Sequence, residues 1–338
     1  MIDATVERLQ RYSSEFRLED VELAAEIEEK QRGRTSTEFL ANIGATAIHH
    51  LIPSGRKQLE ILHIVPNGDY DNSKARVMHL GMGNDVGPNQ EYQMATNFAW
   101  APDTQLFAIG NPAGPGIKNG ILSWADARRV YKGDLTPQLD PVFKFLSKRG
   151  VVETEQDGYS MGASHVFPSA LRAEAFDQRV THVTAVEVTD IKRRARGLPH
   201  VLAMLSLGVD FSKVGGPLAD YAAANNNPAF EAANGGGSML GYIIGLGRAT
   251  NLANTSVLAS DNFETKAIKA MANDEELTAR VVTGTSSEIS SLGLMQSITS
   301  SLKRQFPNRF EDIFLDKQYH TMVNDLALQG ILFQPKQK

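Results

Sequence analysis

The chain has 338 residues, 42% of them hydrophobic and 22% charged, with a formal net charge of −5 and no cysteine. This composition is globular, with room for one large domain carrying an insertion or for two small ones. It excludes a disulfide scaffold, a Cys-ligated metal and a thiol nucleophile, and without a long basic run it argues against nucleic acid as a partner.

From the N-terminus, residues 3–31 set Val6, Leu9, Phe16, Leu18, Val21, Leu23 and Ile27 among many charges, which predicts one or two amphipathic helices. The segment is charged from the start, with no apolar stretch of a secretory signal. No apolar run in the chain approaches a membrane span, so a cytoplasmic protein is expected. Two extended runs follow, Ile43 to Ile52 and Leu59 to Val65, with Pro53-Ser54-Gly55 as the hairpin turn. His49, His50 and His63 lie in these runs with no carboxylate at ligand spacing, so strand or surface roles are expected and no metal site.

A short buried-type strand from Lys74 ends in His79-Leu80-Gly81-Met82-Gly83, and Asn84, Asp85 and Gly87 prolong the loop. The pattern then recurs, with Leu106 to Gly110 as strand and Asn111-Pro-Ala-Gly-Pro-Gly116 as turn. A helical region spans about 121–148. Val151 to Gln156 is extended in character but carries Glu153 and Glu155, which is polar for a central strand. Val180 to Thr189 alternates β-branched residues and reads as a strand ending at Asp190. Between 191 and 260 the rhythm breaks into a basic cluster, apolar helical pieces and loops, the pattern of an insertion. It then resumes: helix from Glu264 to Ala279, strand from Ala279 into a Gly/Ser/Thr loop carrying Glu288, helix from Leu292 to Phe306, strand from Phe310 to Leu315, a loop with Tyr319 and His320, and a last helix from Met322 to Leu332. This order predicts an α/β fold with a mostly parallel central sheet and helices on both faces. In such sheets ligands bind at the carboxyl ends of the strands.

Between the polar strand and the helix from Ala163 to Phe176 stands Gly158-Tyr159-Ser160-Met161-Gly162, a G-x-S-x-G sequence. A serine on a sharp strand-to-helix turn has a strained backbone, and glycines two positions either side let strand and helix approach closely. An ordinary Gly/Ser turn is the plainer alternative. Ser160, Glu288 and His320 each follow a predicted strand, in that order.

The arrangement resembles the α/β-hydrolase fold superfamily, from about residue 40 to 335. Gly158 to Gly162 is similar to its nucleophile elbow, His79 to Gly83 to its His-Gly-rich oxyanion loop, and Asn111 to Gly116 to its Asp-x-Pro-Gly-x-Gly turn. Val281 to Glu288 is similar to its strand and acid, and His320 to its late histidine. The resemblance implies Ser160 as nucleophile, His320 as base and Glu288 as the acid orienting it. Asp190 is the alternative acid and Asp316 a weaker third. Met161 and Met82 would give the oxyanion-hole amides. No cofactor and no metal are implied. Leu80, Asn111, Glu288 and the polar strand before Ser160 depart from the family pattern. His79 is read as structural, and His165 as a packed or partly exposed residue of its helix.

The expected organisation is an N-terminal helical segment (1–40), a core (41–190 and 261–338) and a cap (191–260). The expected activity is that of a serine hydrolase on an ester or amide of a small to medium, partly apolar substrate, with perhydrolase chemistry open to the same triad. The alternative is a catalytically silent scaffold or binding protein, docked to a partner or a larger assembly through its N-terminal segment, which could also carry a homo-oligomer contact.

Overall fold

The computed structural model describes residues 2–54, 57–81, 86–110, 122–189, 253, 256–257, 262–287, 290–320 and 322–335. Three helices open the chain: α1 (Ile2–Tyr12), α2 (Leu18–Gln31) and α3 (Ser36–Asn42). The strands are β1 (Ala45–Ser54), β2 (Lys57–Pro66), β3 (Lys74–His79), β4 (Leu106–Ile109), β5 (Glu153–Tyr159), β6 (Arg179–Val186), β7 (Thr278–Gly284) and β8 (Phe310–Leu315). They form one sheet in the order β1-β2-β4-β3-β5-β6-β7-β8. β1 and β2 are the expected antiparallel pair, and β2 runs antiparallel to β4. From β4 to β8 every neighbouring pair is parallel.

Parallel neighbours need crossovers. α4 (Pro88–Ala99) links β3 to β4, and α5 (Trp124–Tyr131) with α6 (Thr136–Ser147) lies between β4 and β5. α7 (Ala163–Ala173) links β5 to β6, α8 (Phe263–Asn273) precedes β7, α9 (Leu292–Gln305) links β7 to β8, and α10 (Leu326–Leu332) ends the described chain. The chain passes from β3 outward to β4 and then returns to β5 on the other side of β3. The carboxyl ends of β3 and β5 therefore flank the point where the strand order reverses, the crevice where such sheets bind ligands.

Strand side chains alternate between faces, and both faces are buried. Ile61, Val77, Phe107 and Val281 join one core with α5 to α9, whereas Leu62, Met78, Ala108 and Val282 join the other with α1 to α4 and α10. The N-terminal helices place their apolar side here: Leu9, Val21, Ala24 and Ile27 are buried in this second core, while Leu18 and Leu23 stay exposed.

The polar residues of β5 are matched rather than orphaned. Arg76 on β3 pairs in register with Glu155 and lies diagonal to Asp157, which its Nη2 reaches at 2.9 Å. On the opposite face, His79 Nε2 lies 2.8 Å from Gln156 Oε1.

Three sequence expectations need correction. The stretch between β3 and β4 is a helix, α4, begun by Gly87 and Pro88, and not a prolonged loop. The helix expected to reach Ala279 ends at Asn273, and β7 starts at Thr278. The strand expected to reach Thr189 ends at Val186. The turns at 82–85 and 111–121 and nearly all of the expected cap lie outside the described residues. Of that insertion only Ala253, Ser256 and Val257 are described, with Ala253 and Val257 buried in the core with α5 to α9.

Candidate active site

β5 delivers Ser160 at its carboxyl end. Ser160 takes a left-handed backbone, with φ 56°, before one 3-10 turn (Ser160–Gly162) leads into α7. That conformation costs a side-chain-bearing residue roughly 1–2 kcal/mol. The flanking glycines make the turn sterically feasible. A Cβ on Gly158 would overlap the Gly162 carbonyl, and one on Gly162 would overlap the carbonyl oxygen of His79 on β3. The elbow is thus pressed directly against the neighbouring strand.

His320 lies between β8 and α10. Its Nε2 is 2.9 Å from Ser160 Oγ, and its Nδ1 is 3.0 Å from Glu187 Oε2. Tyr159, the residue before the serine, donates its hydroxyl to the His320 carbonyl at 2.6 Å. The imidazole is 2% exposed and Ser160 is 8% exposed.

Glu187 is the residue sequence reasoning passed over. It follows β6 directly, has φ 55°, and is fully buried. Three donors converge on its carboxylate. The Gly284 N–H reaches Oε1 at 2.6 Å, while the Ser287 hydroxyl and His320 Nδ1 both meet Oε2. A buried carboxylate is tolerated only when its acceptor capacity is filled in this way. Gly284 is itself required: a Cβ there would overlap the Gln318 carbonyl, in the segment that carries His320. Because the carboxylate can only accept, Nδ1 is assigned the proton. Nε2 is then left as the acceptor facing Ser160.

The structure thus brings together Ser160 and His320 with a carboxylate other than those named from sequence. Glu288 and Asp190 lie outside the described residues. Asp316 follows β8 directly with an exposed side chain, and its N–H is bonded to the Tyr12 carbonyl at 2.8 Å. Glu187 carried one signal. It is the lone charged residue in the β-branched run Val180 to Thr189 and stands at the carboxyl end of the strand beside the one that leads into Ser160. Of the two amides considered for an oxyanion hole, Met161 follows the serine in the 3-10 turn, and Met82 lies outside the described residues.

Below the elbow sit two buried histidines with rings 5.7 Å apart. His79 also lies 3.2 Å from Ser169 Oγ, and His165 Nδ1 lies 2.9 Å from the Met161 carbonyl. Burial pushes His79 down to about 3, with His165 beside it adding to the shift, and pushes His165 down to about 4. Both are neutral at ordinary pH and act as packing and hydrogen-bonding groups beneath the elbow.

Two clefts, of about 600 and 460 Å³, lie at the amino ends of β6 to β8, the opposite end of the sheet from Ser160. Among the described residues, no group of three or more His, Asp or Glu side chains is set to hold a metal ion, and no helix is long and apolar enough to cross a membrane.

No protein-family model matches the sequence, and no curated protein matches it. Solved structures do resemble the fold. An E-2-(acetamidomethylene)succinate hydrolase aligns with a TM-score of 0.52 at 14% identity, over 85% of this chain and 98% of that one. A thioesterase domain from the curacin biosynthetic pathway gives 0.48 at 15% identity, over 85% and 99% of the two chains. An esterase from Pyrobaculum calidifontis gives 0.47 at 14%, over 96% and 92%. At these identities the likeness concerns the fold, and the first of the three carries it.

Proposed function

We propose that this chain, which has the α/β-hydrolase fold, is a serine hydrolase that cleaves an ester or amide through an acyl-enzyme on Ser160. One observation carries the reading: the continuous line from Ser160 Oγ to His320 Nε2 at 2.9 Å and from His320 Nδ1 to Glu187 at 3.0 Å. A serine hydroxyl is a weak nucleophile unless a base removes its proton as it attacks. His320 takes that proton on Nε2 while Oγ bonds to the substrate carbonyl carbon. Glu187 holds the ring in the required tautomer and stabilises the imidazolium. When the tetrahedral intermediate collapses, His320 returns the proton to the leaving alcohol or amine. Water then attacks the acyl-enzyme by the same route, gives its proton to His320, and releases the acid with Ser160 restored.

The developing oxyanion needs preorganised donors, each worth about 3 kcal/mol. The Met161 N–H is the first candidate for that role, and Met82 is proposed as the second. The polarity of β5, which departs from the family pattern and left the silent-scaffold alternative open, has its own explanation in Arg76 and His79. It no longer speaks against an active serine. Peroxide in place of water would turn the same three groups to perhydrolase chemistry. The apolar pieces between 191 and 260 are the reason to expect an acyl or alcohol group of small to medium size and partly apolar character.

The test is a fluorophosphonate probe on the purified protein, with the adduct located by mass spectrometry. Labelling at Ser160 that disappears in His320→Ala is the expected result. A well-folded protein that takes no label, or takes it elsewhere, would refute the proposal.

A further inference from the structure

The segment that carries His320 runs from the end of β8 to the start of α10, and both its ends are held by one residue of the first helix. The Tyr12 carbonyl accepts the Asp316 N–H at 2.8 Å, and the Tyr12 hydroxyl donates to Asp325 Oδ2 at 3.1 Å. Asp325 is fully buried and caps α10 by accepting the Leu328 N–H at 3.2 Å. From the same helix Arg8 donates Nη2 to Oδ1 at 3.1 Å and forms an ion pair with that carboxylate, its Nε 3.0 Å from Oδ2. Arg8 is held in turn by Glu28 of α2, at 2.8 Å. At the far end of α10, buried Arg76 binds the Phe333 carbonyl. The helix that follows the histidine is therefore anchored at both termini by arginines, half-buried Arg8 at its start and buried Arg76 at its end, and the histidine segment is tied at both ends to Tyr12.

We propose that α1 is a positioning clamp for His320, with Tyr12 and Arg8 as positioning residues that fix where the imidazole stands between Ser160 and Glu187. The inference rests on the serine hydrolase reading for its consequence, but its geometry does not depend on it. A general base works only within hydrogen-bond reach, and a misplacement of about 1 Å can cost on the order of 100-fold in rate. Ser160 and Glu187 are placed by neighbouring strands of the sheet. His320 lies on a connection, where only side-chain and main-chain ties can supply that precision. The first helix is thus assigned a task at the site, distinct from the docking role its charge pattern suggested.

The test uses the full chain as Tyr12→Phe, which keeps the ring and the main-chain bond to Asp316 and removes only the hydroxyl. Val21→Ala, a buried change in α2, serves as a control that loosens the same layer without touching the clamp. Two readouts are taken: the second-order rate of fluorophosphonate labelling at Ser160, and the ring resonances of His320 in ¹⁵N-histidine-labelled protein, assigned by their loss in His320→Gln. The expected result is a fall in labelling of roughly tenfold or more in Tyr12→Phe, with shifted or broadened His320 signals, and neither effect in Val21→Ala. Unchanged His320 signals in Tyr12→Phe would overturn the clamp, and so would a labelling rate equal to that of the wild type. Equal losses in both variants would reduce the effect to general loosening and overturn it as well. If the wild type takes no label while Tyr12→Phe still moves the His320 signals, the hydrolase reading fails and the clamp stands.

Discussion

Glu187→Gln isolates the part of the site that the structure adds to the sequence reading. The substitution is nearly isosteric, but it replaces an all-acceptor group with one that must present an NH₂. Every neighbour of Glu187 named above is a donor: the Gly284 N–H at Oε1, and the Ser287 hydroxyl and His320 Nδ1 at Oε2. If the new NH₂ faces Gly284, two donors meet at 2.6 Å and a buried N–H loses its partner, which costs about 1–3 kcal/mol of stability. If it faces His320, the imidazole must turn its lone pair to Nδ1 and carry its proton on Nε2. Nε2 then points a proton at Ser160 Oγ and can no longer accept one. Loss of the orienting acid in triads of this kind costs roughly 10⁴-fold in kcat, or about 5.5 kcal/mol of transition-state stabilisation. The assay is hydrolysis of a p-nitrophenyl ester by wild type, Glu187→Gln, Glu288→Gln and Asp190→Asn, with thermal unfolding measured in parallel. A large loss confined to Glu187→Gln is expected. A Glu187→Gln enzyme within threefold of wild type, or an equal collapse in Glu288→Gln, would refute the assignment of the acid.

Two further outcomes follow from the buried titratable groups. Burial lowers His79 from its ordinary 6.5 to about 3, so between those values the unfolded chain takes up a proton that the folded chain does not. Its contribution to stability is complete above pH 6.5 and is lost as pH falls toward 3. His79→Gln removes that loss, so its deficit relative to wild type should shrink by roughly 1.4 kcal/mol per pH unit on acidification; urea denaturation curves that stay parallel from pH 7 to 4.5 would count against it. Arg76→Met strands Asp157 without its buried partner and leaves Glu155, already raised to about 7 by burial, with less to hold its charge. It should cost about 3–5 kcal/mol, and a loss below about 1 kcal/mol in the same denaturation assay would show that the pair is not what stabilises the polar strand.

Much of this architecture was legible because its signals are local. The hairpin, the parallel strands, the elbow glycines and the late histidine each stand in a short stretch of chain. Glu187 was not, for a reason visible in its neighbours. Val188 and Thr189 continue the β-branched alternation of β6, so the pattern runs on after the strand has ended. The end is marked only by a left-handed φ that no residue type announces, since such a conformation usually calls for Gly or Asn. α4 was hidden differently. Its start, Gly87 with Pro88 in the first turn, is a legitimate helix opening, but it follows a run of glycine, asparagine and aspartate that reads as loop. The polarity of β5 made sense only once Arg76 was seen opposite Glu155, a pairing that depends on register between strands far apart in sequence.

The backbone itself marks the site. Four non-glycine residues of the described chain have positive φ: Ser160, Asp177, Glu187 and Lys317. Asp177 ends a 3-10 turn after α7, an ordinary place for a left-handed residue. The other three fall on Ser160, on Glu187 and in the segment leading to His320. Each is compensated by bonds from elsewhere: the His320 contact for Ser160, three donors for Glu187, and the Thr285 hydroxyl for the Lys317 N–H at 2.9 Å. At roughly 1–2 kcal/mol each, such conformations persist only where surrounding contacts over-determine them. Chance would scatter them over turns at large. Their concentration around one hydrogen-bonded line is what a site under geometric constraint produces, and it is independent of the side-chain distances that first defined the line.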